Sequence, residues 1–474
     1  MKASTRQAFI VVDLGYGDAG KGTMVDYLTR KHNAHTVIRF NGGAQAAHNV
    51  VTTQGQHHTF SQFGSGTFVS GVRTYLSRYM LIEPYALFNE EEHLQQLGIT
   101  DAFSRLSIDR AAPVTTLYHQ AANRLKERAR GDNRHGSCGV GIGETVADLL
   151  EHGQSVLFAG DLPDKQTTIK KLRFLRNAKW EALREIRHQL KGDPDAYDDL
   201  QIFTDDDLIN IAADNYQYLI ELVTLTDDSN MKNLFEQSGT LIFEGAQGVL
   251  LDENYGFAPY TTWSTTTPKN AETLLNETNY SGEITRLGVV RSYMTRHGAG
   301  PFVTEDPTLR KRLPELHNAT SDWQQSFRVG YFDSVAHRYA LNVAKTIDTV
   351  AITHVDRLAA LPHIQICDSY ITPAPQEKID AYFVLADGTR STIISNIKVQ
   401  SMPTFSHQNE LARSLIDCKP MYTAIPHGER ESDIESTIEY IEQRLNIPVT
   451  MTSTGMTAQH KFERESNFKS KHTL

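Results

Sequence analysis

Gly15, Gly20 and Lys21, in the stretch GYGDAGKG, have the spacing GxxxxGK of a phosphate-binding loop. In such a loop consecutive backbone N–H groups face phosphate oxygens, the helix that follows adds favourable potential at its N-terminus, and the lysine neutralises further charge. The Ser or Thr that a standard loop directs at magnesium is Gly22 here, with Thr23 one place later. The metal must therefore be handled differently. Asp18 is the unusual member of the loop. A carboxylate among phosphate-binding amides repels phosphate unless it ligates magnesium or acts on the acceptor; bracing of the loop is the alternative. A second polar cluster, Asn41, Gly42, Gly43, Gln45, His48 and Asn49, carries a histidine suited to a phosphate contact or to general-acid work.

Other segments carry polar groups of the same kind. The glycine-rich GSCGVGIG, 136–143, permits close backbone approach to a ligand or is a flexible turn. Gln247, in EGAQG, has an amide able to read a base edge or a ribose. TTWSTTT, 261–267, is dense in hydroxyls that can collect phosphate oxygens or simply face solvent. Asp356, in THVD, can accept from the N1–H and exocyclic amine of guanine, a donor pair that adenine lacks. Arg291 and Arg296 are candidate clamps for phosphate or carboxylate.

These residues need a scaffold that brings distant loops together. FIVVDL, 9–14, reads as a buried strand and HTVIRF, 35–40, as a second, with the helix between them implying a parallel pair. Further short strands are expected at 156–158, 241–243, 287–290, 349–352 and 448–451. Several end in polar loops, as an open α/β sheet requires. Ile434, Ile438, Ile441 and Leu445 predict an amphipathic helix before the last strand. The expected fold is α/β, a large and mostly parallel central sheet with flanking helices, in one domain over 1–458. Elaborations are expected near 60–135, 160–235 and 365–425, and a loosely held polar tail over 459–474. A basic helical segment, 170–191, reads as a solvated face or as a surface for nucleic acid or a partner.

Lys and Arg number 47 against 57 Asp and Glu, a formal net charge of -10, which argues against nonspecific nucleic-acid binding. The cysteines, Cys138, Cys367 and Cys418, lack metal spacing and are too few for a disulfide scaffold. That cysteine usage makes a reducing cytoplasm the expected compartment, and the N-terminal apolar run is too short to span a membrane and has no signal-peptide pattern.

Taken in order, VVDLGYGDAGKGTMVDYL, VIRFNGGAQAAHNV, GVGIG, FEGAQGVLLDENYGFAPYTTWSTTT, GVVRSYMTRHGAGPFVTE, GYFDSVAHRYAL, THVDRL and PVTMTSTG resemble the adenylosuccinate synthetase family over nearly the whole chain. The resemblance implies a homodimeric ligase that joins aspartate to C6 of IMP using GTP and magnesium. On the matching positions, Asp18 would be the base and, with Ala47, hold magnesium, while His48 would assist phosphoryl transfer. Gly17, Ala19, Gly20, Lys21, Gly22, His354, Asp356, Ser453 and Gly455 would hold GTP. Gln45, Cys138, Gln247, Leu251, Thr262, Val290 and Arg328 would contact the substrates.

The chain also departs from the family pattern. His354 stands for a lysine, Gln45 for an asparagine, Cys138 for a threonine and Val140 for an arginine; an arginine expected near His152 is absent. In SDWQQSFRVGYFD, Gln325 and Phe327 occupy arginine places and only Arg328 remains. A dicarboxylate needs concentrated positive charge. Aspartate therefore competes with another amine, IMP with a modified purine nucleotide, and the ligase with a nucleotide-binding regulator.

Overall fold

In the computed structural model of the chain, the described residues are 6–131, 137–314, 327–361, 363–386, 392–425, 431–466 and 468; for 431–433 only the backbone is described. Gly136 and the 321–326 part of the departing loop, with Gln325, lie outside them.

Ten strands make the central sheet: β1 (Gln7–Asp13), β2 (Ala34–Arg39), β3 (Arg73–Leu76), β4 (Leu106–Asp109), β5 (Thr224–Thr226), β6 (Thr240–Glu244), β7 (Glu283–Arg291), β8 (Thr349–Thr353), β9 (Val449–Ser453) and β10 (Lys461–Glu463). Their spatial order is β10-β9-β8-β7-β1-β6-β2-β3-β4-β5. Every pairing is parallel except that of β10 with β9. β1 and β6 are buried along most or all of their length, which explains their continuous apolar runs. The helix α1 (Lys21–Lys31) leaves β1, and the chain returns as β2. The two strands are parallel as expected, but they are not paired, because β6 lies between them and bonds both. A strand from more than two hundred residues away is invisible to any local reading of helix and crossover.

The expected strand at 156–158 is instead a buried connection: Phe158 makes an isolated bridge to Pro113, and the Leu157 carbonyl accepts from the Val114 N–H. Short apolar runs read alike in a strand and in a buried loop. Conversely, β3 and β4 fall within the expected elaboration at 60–135, and β5 within that at 160–235. They widen the sheet there, and at three or four residues each they are too short to show a period.

A helical layer, 117–222, packs around Tyr118, Leu125, Leu172, Leu175, Phe203 and Tyr216. The basic segment is two helices, Lys165–Ala182 and Arg184–Gln189. Its leucines face inward, and several of its cations are paired within the chain: Lys171 with Asp161, and Lys179 with Glu144 and Asp148. These pairings favour the solvated-face reading. A second sheet of five strands lies within 332–425. No helix among the described residues is long and apolar enough to cross a membrane.

The chain from 459 begins with structure where a loose tail is expected. β10 extends the sheet, and Lys461 Nζ donates to the carbonyls of Gly455 (2.8 Å) and Thr457 (3.0 Å). Arg464 pairs with the buried Glu442 at 3.1 Å and donates to the Val449 carbonyl at 3.0 Å. Polar composition hid this segment, because its hold on the sheet is backbone pairing and charge rather than apolar burial. Arg464→Ala should therefore cost about 2 kcal/mol of stability, the worth of a hydrogen bond to a charged group. An unchanged midpoint and slope in denaturant unfolding would show that the segment contributes nothing.

Candidate active site

The loops after β1, β2, β6, β7, β8 and β9 meet over the C-terminal ends of the strands, around a cleft of about 380 Å³. This is the end of an open α/β sheet where ligands bind.

The phosphate loop is shaped from below by Asp13, the last residue of β1. Its Oδ1 accepts from the Gly15 N–H (2.7 Å), and its Oδ2 accepts from the Ala19 N–H (2.9 Å) and Lys21 Nζ (3.2 Å). Lys21 also donates to the Gln247 carbonyl at 2.7 Å. Lysine and aspartate are both buried. Lys21 thus lines the cleft while tying the loops after β1 and β6 together. Gly17, Asp18 and Gly20 adopt positive φ. The left-handed conformation at Asp18 is uncommon for a residue with a side chain, and its carboxylate lies on the cleft wall.

The missing hydroxyl of the loop has a steric cause. A Cβ on Gly22 would fall 2.8 Å from the Cβ of His48 and 3.0 Å from Oγ of Ser65. The loop after β2 lies directly on α1, and no side chain fits between them. A similar close approach fixes Gly248, whose Cβ would lie 2.2 Å from the Gly15 carbonyl oxygen.

Two pairs, the first half-buried and the second buried, supply the site's ionisable groups. His297 Nε2 lies 3.2 Å from Asp18 Oδ2. Burial opposes charge on Asp18, but the His297 hydrogen bond and the positive charges of Arg291 and Lys21 outweigh it and hold the carboxyl below its usual range. His48 Nδ1 lies 2.6 Å from Glu244 Oε1. Burial pulls the imidazole down, partly opposed by Glu244, so the ring is neutral near pH 7. Burial also raises Glu244, but His48, Arg39 and Ser65 more than offset it and keep it ionised. A neutral ring beside this carboxylate carries its proton on Nδ1, leaving Nε2 for a ligand.

Of the other expected residues, Gly17, Gly20, Gly22, Gln45, Ala47, Gln247, Leu251, His354, Asp356, Ser453 and Gly455 line the cleft. The side-chain amide atoms of Gln45 and the Gln247 Oε1 are buried without a partner, as groups awaiting a ligand would be. Asp356 lies 3.4 Å from Arg357, and burial raises its carboxyl. His354 lost its charge to burial and to the nearby cations Arg291, Arg357 and Lys461.

Five expected residues lie off the cleft. Ala19 spends its N–H on Asp13. Val290 is core within β7. Thr262 sits behind Leu251 and donates its N–H to that carbonyl at 2.8 Å. Cys138 is half-buried on the loop leading into the helix Ile142–His152, and that helix packs through Ile142 against Gly43 of the loop after β2. Arg328 is turned onto the carbonyls of Gly298 (3.1 Å) and Gly300 (2.9 Å) and onto Glu305. Arg296 likewise is no clamp: it is buried, stacks on Tyr16 and donates to the Ala299 and Pro301 carbonyls. The hydroxyls at 264–266 brace Gly42, Glu253 and Gly248 rather than opening to a ligand. Sequence reasoning missed Asp13, Glu244 and His297. The first two are carboxylates at the C-terminal ends of two adjacent, buried central strands, which was a usable signal.

Gly22→Ser restores the ordinary motif and should nonetheless lower nucleotide affinity by at least about tenfold, because the added side chain must displace His48 or α1. Calorimetric titration with a nucleoside triphosphate reads this directly; equal or tighter binding would contradict the steric account.

A profile of the adenylosuccinate synthetase family matches residues 10–462. The adenylosuccinate synthetase of Chlorobium limicola is 28% identical over 457 residues, covering 95% of this chain and 96% of that protein. That of Thermoplasma volcanium is 30% identical over 454 residues, covering 94% of each. Among solved structures, the fully ligated adenylosuccinate synthetase of Plasmodium falciparum aligns with a TM-score of 0.72 at 19% identity, over 98% of this chain and 100% of that one. The succinoaminodeoxyadenylate synthetase of cyanophage S-2L, bound to dGMP and to dATP as an energy donor, aligns at 0.58 and 15%, over 97% and 95%. The two structures share the fold described above, and the sequence match spans every loop of the cleft: the chain belongs to the adenylosuccinate synthetase family of ligases.

Proposed function

We propose that the chain is a GTP-dependent ligase that joins the amino group of L-aspartate to C6 of IMP through a 6-phosphoryl intermediate, working as a homodimer in the cytoplasm. The observation that carries this reading is the pair of held groups on one cleft: ionised Asp18 and the Glu244-oriented His48. A nucleotide-binding regulator has no use for either.

Asp18 accepts the proton from N1 of the hypoxanthine ring while O6 attacks the γ-phosphorus. The bond from that phosphorus to its bridging oxygen breaks, and GDP leaves. The triphosphate's negative charge offsets the burial penalty on His48 and favours its protonated form, which then donates from Nε2 to a γ-phosphoryl oxygen. The amine attacks C6, the C6–O6 bond breaks, and inorganic phosphate departs with O6 and takes up the proton that the nitrogen loses. Phosphorylation has turned a poor oxygen leaving group into a good one. Lys21 and the loop amides hold phosphate, Asp356 reads guanine, and the Ser453–Gly455 loop covers the base.

Asp18 and the backbone at Ala47 would hold magnesium, whose charge would offset that of the transferring phosphoryl group. Both line the cleft, and Asp18 is held ionised. Among the described residues no group of three or more His, Cys, Asp or Glu side chains is arranged to hold a metal ion by itself. The remaining ligands would be phosphate oxygens and water, as is usual for magnesium.

One observation favours a second reading for the amine. Arg328, the arginine left in the departing loop, is occupied by Gly298, Gly300 and Glu305. An amine with less negative charge than aspartate, or a modified purine nucleotide as acceptor, is the alternative.

Phosphate release in a coupled assay with GTP, magnesium and IMP should require an amine. Aspartate is run against a panel of amines, and release that is indifferent to aspartate sinks the first reading. Asp18→Asn should abolish ligation with little change in thermal midpoint; normal turnover removes its role as base. Glu244→Gln should lower kcat on the order of 100-fold by releasing His48, and an unchanged kcat would exclude the orienting role.

A further inference from the structure

The segment after β7 reaches Asp18 at two atoms. Arg291, at the end of β7, places Nη1 3.3 Å from the Asp18 carbonyl oxygen. Six residues on, His297 places Nε2 3.2 Å from the Asp18 carboxylate. Both side chains line the cleft with Asp18. One segment thus grips the backbone and the side chain of a residue already in the left-handed conformation.

His297 is itself held from behind. It closes a two-stranded antiparallel ladder, Met294–His297 against Phe327–Gly330, in which His297 is the register partner of Phe327. The two rings meet edge to face at 4.8 Å, and Phe327 is buried. The turn beyond His297 is fastened by Arg328, which donates to the Gly298 and Gly300 carbonyls and pairs with Glu305. The opposite ring nitrogen, Nδ1, is buried without a partner, so the Asp18 contact is the polar contact that fixes the ring.

We infer that His297 is a positioning residue for the reaction: it holds the Asp18 carboxylate in the orientation that receives the substrate proton, and the Phe327–Arg328 strand holds His297. This rests on the proposed role of Asp18 as base. Geometry gives the reason. A flexible carboxylate on a glycine-rich loop has several rotamers, and a misplacement of about 1 Å at a reacting group can cost about 100-fold in rate. A hydrogen bond from a ring wedged against Phe327 selects one of them. Arg328 then serves the site without touching a substrate, which accounts for its being turned away from the cleft.

The test is steady-state kinetics on the full chain with GTP, magnesium, IMP and the amine that supports turnover. His297→Ala should lower kcat about 10- to 100-fold while KM for IMP and for GTP stays within about threefold. His297→Gln, which keeps an N–H donor on a side chain of similar reach, should recover at least about a third of the lost factor in logarithmic terms, a rescue that mere packing would not produce. Thermal midpoints are measured on both variants, and Phe327→Leu, which loosens the ring's support, should lower kcat in the same direction by a smaller factor. Wild-type kcat in His297→Ala overturns the inference, as does a loss that appears only in KM or that the glutamine fails to rescue. Asp18→Asn run beside them separates the two claims: its normal turnover overturns both, whereas an inactive Asp18→Asn with a fully active His297→Ala overturns only this one.

Discussion

The cleft rests on one buried carboxylate. Asp13 ends the central strand of the sheet and binds two amides and the lysine of the loop that follows it. A glycine-rich loop pays the largest conformational entropy on folding, and these contacts fix it before any ligand arrives. Through Lys21 the same carboxylate reaches the Gln247 carbonyl and so the loop after β6. Without Asp13 the lysine would be a buried charge lacking its counterion, and the two loops would lose their common anchor.

The remaining polar groups divide into those that brace and those that face the cleft, and residue type does not separate them. Asn41 bonds both the N–H and the carbonyl of Ala246, stapling the loop after β2 to the loop after β6. Gln45, only a few residues away, keeps a buried amide unpaired. Arg291 lies at the cleft while Arg296 is locked under it. Such a division follows from packing at the sheet's end, where every backbone carbonyl and amide must find a partner before the site has donors to spare.

The sequence was most informative where pattern and chemistry coincide. The run FIVVDL followed by GYGDAGKG placed β1, the loop and α1 together, and the order of the polar loops identified the family. Sequence patterns were silent on contacts between distant segments. That His48 would face Glu244, or Asp18 face His297, depends on β6 entering beside β1 and on the hairpin after β7, and neither spacing nor periodicity records strand order. Short strands such as β5, three residues long, carry no readable period. Arg328 shows the opposite case: its residue type suits a carboxylate ligand, whereas the fold bonds it to a turn.

The strand order has a consequence for the newly made chain. The wall of the cleft is drawn from residues as early as Tyr16 and as late as Met456. β1 finds its two neighbours only after about 240 and 290 residues, and β10 closes the edge near the C-terminus. Contacts of such sequence separation form slowly, because loop closure must precede the burial that rewards it. A growing chain therefore carries its phosphate loop early but lacks the full cleft wall until Met456 has been added. A chain that stops short of it lacks part of the wall that would hold a ligand, so ligand-linked stability builds fully only once every loop is present.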